Sequence, residues 1–276
     1  MMRIAIGIEY DGTHYYGWQN QHELPTIQNC LEQALSKIAN QPITTTCAGR
    51  TDAGVHALGQ IVHFDTTALR NEKAWVLGTS RYLPAAMRVR WAKPVADDFH
   101  ARYSAITRRY HYWIYNHPQR PVWQRHGVTW CYSPLNEKHM AQAATYLLGE
   151  HDFSSFRGGD CQSKTPWRNL LHLSIVRRGN YLLLDVKANS FLHHMVRNIV
   201  GVLLAVGSGK KPPDWVQQVL QAKQRTAASI TAPPHGLYLM EVEYPTAYQF
   251  PQLTPDSLWF GSFIKNSAAS DRVFPF

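Results

Sequence analysis

The chain has 276 residues, 45% of them hydrophobic and only 17% charged, with 28 Lys plus Arg against 19 Asp plus Glu, for a net charge of +9. That is material for one large or two ordinary domains with real cores. The longest apolar stretch, residues 199–206, is interrupted by a glycine and is far too short to span a bilayer. Residues 1–10 lack the long apolar core of a signal peptide. The four cysteines, Cys30, Cys47, Cys131 and Cys161, show no CxxC spacing, so neither a zinc site nor a thioredoxin-like pair is indicated. Reduced thiols in a cytoplasmic protein are the default. The basic balance suits a polyanionic partner, and nucleic acid fits best, although charge alone describes a merely basic protein equally well.

Residues 3–10 alternate, with Ile4, Ile6, Ile8 and Tyr10 on one face, which predicts a strand. Thr26 can cap a helix whose stripe is Ile27, Cys30, Leu31, Ala34, Leu35 and Ile38. Strands are expected at 43–47, 60–65 and 89–92, and a shorter helix at 72–82. The order is β-α-β-β-α-β. The second half repeats it without obvious identity: a strand at 108–116, a helix at 136–148, a hairpin of 171–177 with 181–188, helices at 190–206 and 214–223, and a last strand at 237–244. Two such units predict an α+β chain of two ferredoxin-like domains, each an antiparallel sheet with helices on one face. Their bounds are 1–105 and 106–247, followed by a loosely held tail, 248–276. Segments 118–134 and 150–169 read as insertions rich in Trp, Arg and Gly, and long loops there are often functional.

The most distinctive string is CAGRTDAGVHALGQIVHF at 47–64. It sets Asp52 between Arg50 and His56 in a glycine-punctuated loop ahead of an apolar strand. A guanidinium beside an acid favours the carboxylate, and Gly49 and Gly54 let backbone approach a ligand. The tripeptide Asp-Ala-Gly alone reads as an ordinary surface turn. Arg197 lies in a mostly apolar helix, with His193 four residues earlier on the same side. It is either an exposed residue at the stripe's edge or the partner of a catalytic carboxylate. His193 and His194, being adjacent, are expected on different helix faces, and with no third ligand in register a metal site is not expected. The zinc deaminase, Walker A, G-x-G-x-x-G and G-x-S-x-G patterns are absent. Tyr110 reads either as a core-facing strand residue or as a ring for stacking on a base.

Five strings together resemble the tRNA pseudouridine synthase A (TruA) family: EYDGTHYYGWQ at 9–19, CAGRTDAGVHA at 47–57, RRYHYWIYN at 108–116, FLHHMVRNIVG at 191–201 and GLYL at 236–239. The resemblance implies an isomerase that turns uridine into pseudouridine at positions 38, 39 and 40 in the anticodon arm of tRNA. It implies no cofactor or metal, a homodimer, and two ferredoxin-like halves whose sheets run on into each other around a basic cleft. It puts the catalytic aspartate at Asp52, the active-site tyrosine at Tyr110 and the basic partner at Arg197. Arg50 is implied to hold the target nucleotide out of its stack, and His56 and His193 are expected beside the substrate.

Two rivals remain at this stage. A non-catalytic RNA binder with paired RRM-like domains needs no acid in its most distinctive loop, and the aromatic RNP1 string is not found. A glycosidase would usually want two carboxylates, and this loop supplies one.

Overall fold

The computed structural model describes residues 1–251. It is a mixed α/β structure built on one large sheet. The strands are β1 (Met2–Tyr10), β2 (Thr46–Cys47), β3 (His56–Thr66), β4 (Met87–Val95), β5 (Thr107–Asn116), β6 (Thr129–Cys131), β7 (Gly149–Asp152), β8 (Trp167–Arg178), β9 (Tyr181–Ala188) and β10 (Leu237–Glu243). The α-helices are α1 (Ile27–Ala39), α2 (Thr79–Tyr82), α3 (Glu137–Thr145), α4 (Met195–Gly207) and α5 (Trp215–Ala222). No helix among the described residues is long and apolar enough to cross a membrane.

The sheet runs β4-β1-β3-β10-β5-β9-β8-β7, with β2 beside β3 and β6 beside β5. The two halves of the chain therefore share one continuous sheet. The joint is parallel and short, Tyr238 opposite His56 and Leu239 opposite Ala57, whereas pairing within each half is antiparallel except for β6 on β5. Ile4, Ile6, Ile8, Leu31, Leu35 and Phe64 in the first half, and Leu184, Val186, Ile199 and Leu203 in the second, are buried in one core cluster. Burying each such side chain is worth about 1.5–3 kcal/mol.

Local chemistry explains where elements start and stop. Thr26 caps α1 by accepting from Asn29 N, and Asn40 ends it in the left-handed region. The strand expected over 43–47 shrinks to two residues. The amides it would use are taken by α1: Ile43 N donates to Ser36 Oγ and Thr45 N to Glu32 Oε1. The expected helix at 72–82 is interrupted by a π-helical turn, Ala74–Gly78. Helix α4 begins five residues later than its apolar run suggests. His194 adopts a left-handed conformation (φ 61°), and the His193 carbonyl is occupied by Gly158 N. The tail is not loose at its start: Tyr248 and Phe250 pack on Phe99, and Phe250 stacks on Trp91. This packing is aromatic and aperiodic, so no period announces it. Residues 252–276, with Pro255 and Ser267–Ser270, lie outside the described residues.

Candidate active site

The loop between β2 and β3 carries Asp52, and the tyrosine- and glycine-rich string at 9–19 holds it in place. Trp18 N donates to Thr51 O at 2.9 Å, and Gly54 N to Tyr15 O at 3.3 Å. The hydroxyls of Tyr10 and Thr51 pair at 2.8 Å. Gly17 sits at φ +85°, and a Cβ there would lie 2.7 Å from Thr51 O, so a side chain would displace the loop. On the other flank Gln60, fully buried in β3, donates to Gly49 O at 2.6 Å and accepts from Gly49 N at 3.3 Å. Arg108 ties the base of the loop to the opposite half, donating to Ala48 O at 3.0 Å and Asn189 O at 3.1 Å. Burial pushes its guanidinium pKa down, and it has no carboxylate partner among the described residues.

Asp52 opens into a cleft of about 1270 Å³ between the halves. Its Oδ2 accepts from Arg197 Nη1 at 2.8 Å. Arg197 is fixed at a second point, Nε donating to Ala232 O at 2.8 Å. The guanidinium is 14% exposed and the carboxylate 23%, so the pair is screened less than a surface ion pair. His193 Nε2 lies 3.5 Å from Oδ1 and His194 Nε2 3.4 Å from Oδ2. Burial pushes the His194 imidazole below its ordinary pKa, against the opposing pull of Asp52.

Tyr110 comes from the centre of the sheet, on β5 between Leu239 of β10 and Val186 of β9. Its ring meets Phe191 edge-on, centroids 5.1 Å apart. Burial raises its phenol pKa, with Asp52 adding to the effect and Arg108 opposing it. The hydroxyl has no hydrogen-bond partner among the described residues. Arg50 reaches across the cleft and donates to Gln162 Oε1 at 3.2 Å, so the 150–169 insertion forms part of the cleft wall. Arg102, Arg108 and Arg168 line the same cleft, against Asp52 and Asp160.

A family model described as tRNA pseudouridine synthase matches residues 6–104 and 143–245. The chain belongs to the tRNA pseudouridine synthase family. The tRNA pseudouridine synthase A of Escherichia coli (strain K12) is 56% identical over 250 residues, covering 91% of this chain and 93% of that one. That of Vibrio cholerae serotype O1 (strain M66-2) is 56% identical over 252 residues, covering 91% and 96%. A solved structure titled "Crystal Structure of a Cbf5-Nop10-Gar1 Complex" aligns with a TM-score of 0.37 at 13% identity, over 86% of this chain and 48% of that one.

In this tRNA pseudouridine synthase family member, Asp52, Arg50, Tyr110, His193 and Arg197 all line one cleft. His56 does not. It is buried behind the loop, where its Nδ1 accepts from Gly12 N and lies 3.0 Å from Asp11 Oδ1. Its Nε2 faces the carbonyls of His126 and His235, and its ring stacks on Tyr238 at 4.5 Å. It lines a second cavity of about 900 Å³ with Arg88, Arg90 and Trp123. Proximity in sequence to Asp52 misled here, because β3 starts at His56 and strand geometry turns it away. The expectation that His193 and His194 diverge also fails, because both precede α4. His194 was expected to diverge from His193 and instead joins it at Asp52; Phe191 and Gln60 were not singled out from the sequence, and a glutamine inside the apolar run of β3 was the available signal for Gln60.

Proposed function

We propose that this tRNA pseudouridine synthase acts at positions 38, 39 and 40 of the anticodon arm, with Asp52 as the reacting carboxylate, Arg197 as its holder and Tyr110 as the platform for uracil. The enzyme is an isomerase. The bond from ribose C1′ to uracil N1 breaks, the uracil turns, and C1′ bonds C5. C5 loses a proton and N1 gains one, so atoms balance without any redox change. Uracil is both leaving group and nucleophile, and the protein's task is to hold, turn and shield it.

The observation that carries this reading is a single carboxylate gripped by a two-point guanidinium at 2.8 Å in an arginine-lined cleft. Arg197 occupies Oδ2, which leaves Oδ1 as the oxygen free to meet the nucleoside. A base within a stem must be extruded at a cost of a few kcal/mol, and phosphate contacts from the exposed Arg50 and Arg102 offset it. The hydrogen bond from Arg50 to Gln162 on the opposite wall supports a reading in which Arg50 fills the space the base leaves. Tyr110 and Phe191 offer two rings set at 88°, one for stacking and one to wall the base edge.

The first half runs β4-β1-β3-β2, and the second runs β10-β5-β9-β8 with β7 added at the edge and β6 beside β5, so with those two short strands set aside each half has the order fourth, first, third, second. We therefore read two ferredoxin-like units, 1–105 and 106–247, with 248–276 as a tail. The family resemblance supports a cytoplasmic homodimer, and sedimentation equilibrium tests the dimer. The central test is Asp52→Asn with an unmodified tRNA transcript, pseudouridine being mapped by carbodiimide labelling. The variant is expected to bind tRNA and not turn over; wild-type turnover overturns the assignment, and label outside 38–40 overturns the positions.

A further inference from the structure

Neighbouring histidines usually point apart, but the left-handed turn at His194 brings this pair together, ring centroids 3.8 Å apart and tilted by 31°. Both Nε2 atoms converge on one carboxylate, at 3.5 and 3.4 Å from its two oxygens. One ligand atom from each of Asp52, His193 and His194 lies within 4.8 Å of the others. A tetrahedral zinc ion with bonds of about 2.0–2.2 Å keeps its ligands about 3.3–3.6 Å apart; each imidazole already stands at that distance from one of the two carboxylate oxygens, and a small turn of the carboxylate or the rings brings both nitrogens onto one oxygen.

We propose that Asp52, His193 and His194 bind a divalent transition-metal ion of the Zn²⁺ and Co²⁺ class, and that the bound ion shuts the active site. Two imidazoles with one carboxylate select such ions over Mg²⁺ and Ca²⁺, which prefer oxygen ligands. The cleft leaves room for a water in the fourth position. Two features hold the affinity down. Arg197 already occupies Oδ2 at 2.8 Å, and its charge repels a cation. His193 Nδ1 is buried without an acceptor among the described residues, so they supply no outer-shell hydrogen bond of the kind that normally strengthens a histidine ligand. The expected dissociation constant is on the order of micromolar rather than the far tighter values of structural zinc. This is an inhibitory site, not a resident cofactor. The inhibition rests on the function proposed above, since the ion covers the oxygen that would react; the binding does not.

The experiment titrates the full-length apo chain with Co²⁺, following visible d–d absorption, and then displaces Co²⁺ with Zn²⁺. Wild type is compared with Asp52→Asn, His193→Gln and His194→Asn, the last chosen because asparagine tolerates the left-handed backbone. Circular dichroism confirms that each variant is folded. One tetrahedral Co²⁺ per chain is expected, with the dissociation constant raised at least about tenfold in each folded variant. No tetrahedral band in wild type, or equal affinity in wild type and all folded variants, overturns the site. In parallel, Zn²⁺ is expected to abolish isomerisation reversibly, with recovery on adding EDTA. Binding at this site without inhibition overturns the shut-off alone, and a wild type that never isomerises tRNA overturns the proposed function while the Co²⁺ result stands.

Discussion

Replacing Arg197 tests the central geometry most directly. Its guanidinium makes two bonds in divergent directions, Nη1 to Asp52 Oδ2 and Nε to Ala232 O, each 2.8 Å. A charge-assisted hydrogen bond of this kind is worth about 1.5–3 kcal/mol. The bare Coulomb attraction at about 4 Å and an effective dielectric of about 20 is about 4 kcal/mol, an upper bound because the cleft admits water. If the bond's role is to aim Oδ1, its loss appears in kcat. At about 1.4 kcal/mol per decade this predicts a fall of about 10- to 100-fold for Arg197→Ala. Arg197→Lys should fall between the two, because one ammonium keeps the charge but cannot reach both acceptors in the fork geometry. Affinity for tRNA should stay within about threefold, since the guanidinium is 14% exposed and its two bonds go to protein groups rather than to phosphate. The assay is tritium release from a tRNA transcript tritiated at uracil C5, under single-turnover conditions, because the C5 hydrogen must leave as the new bond forms. A kcat for Arg197→Ala within threefold of wild type would refute the reasoning, as would a loss confined to tRNA affinity.

Gly17→Ala places a methyl 2.7 Å from Thr51 O at a left-handed backbone position, so it should cost about 10-fold or more in kcat while leaving the circular dichroism spectrum unchanged; full activity would show that the loop is not fixed there. Tyr110→Leu removes the ring face and should lose more activity than Tyr110→Phe, which keeps it; equal losses in tritium release would assign the whole effect to the hydroxyl. His63 is buried, its Nδ1 accepting from Ala101 N at 3.1 Å, and burial lowers its pKa to about 4. Against an unfolded value of about 6.5, its contribution is complete above that value and is lost as pH falls towards 4, because the unfolded chain binds the extra proton. From pH 7.5 to 5.0 this removes about 2 kcal/mol. Urea unfolding should therefore show a shallower acid limb in His63→Asn, and an identical limb would reject the assignment.

The parts of the molecule governed by periodicity were readable in the sequence: the alternation of β1, the stripe of α1 behind Thr26, and the hairpin of β8 and β9. What escaped was set by partners far along the chain. Strand β2 is short because Glu32 and Ser36, on a preceding helix, capture its amides. Helix α4 starts late because Gly158, more than thirty residues upstream, takes the His193 carbonyl. The same event determines the site. Had the helix begun at 190, His193 and His194 would have pointed to different faces, and at most one could have met Asp52.

The strings that mark the family thus divide by physical task. Asp52, Arg197 and Tyr110 face the cleft, whereas Tyr10, Gly17, Trp18 and Gln60 hold the loop that carries the aspartate. His56 belongs to the second group despite standing four residues from the carboxylate, and Arg108 belongs to it despite lining the cleft, since its four hydrogen bonds all go to backbone carbonyls of segments that must meet. Losing Arg108 would leave those carbonyls unpaired in a largely dry interior, a cost on the order of 3 kcal/mol. Arg108→Met should therefore lower thermal stability before it lowers tRNA affinity. The reverse order would mean that Arg108 contacts phosphate and that its carbonyl partners are incidental.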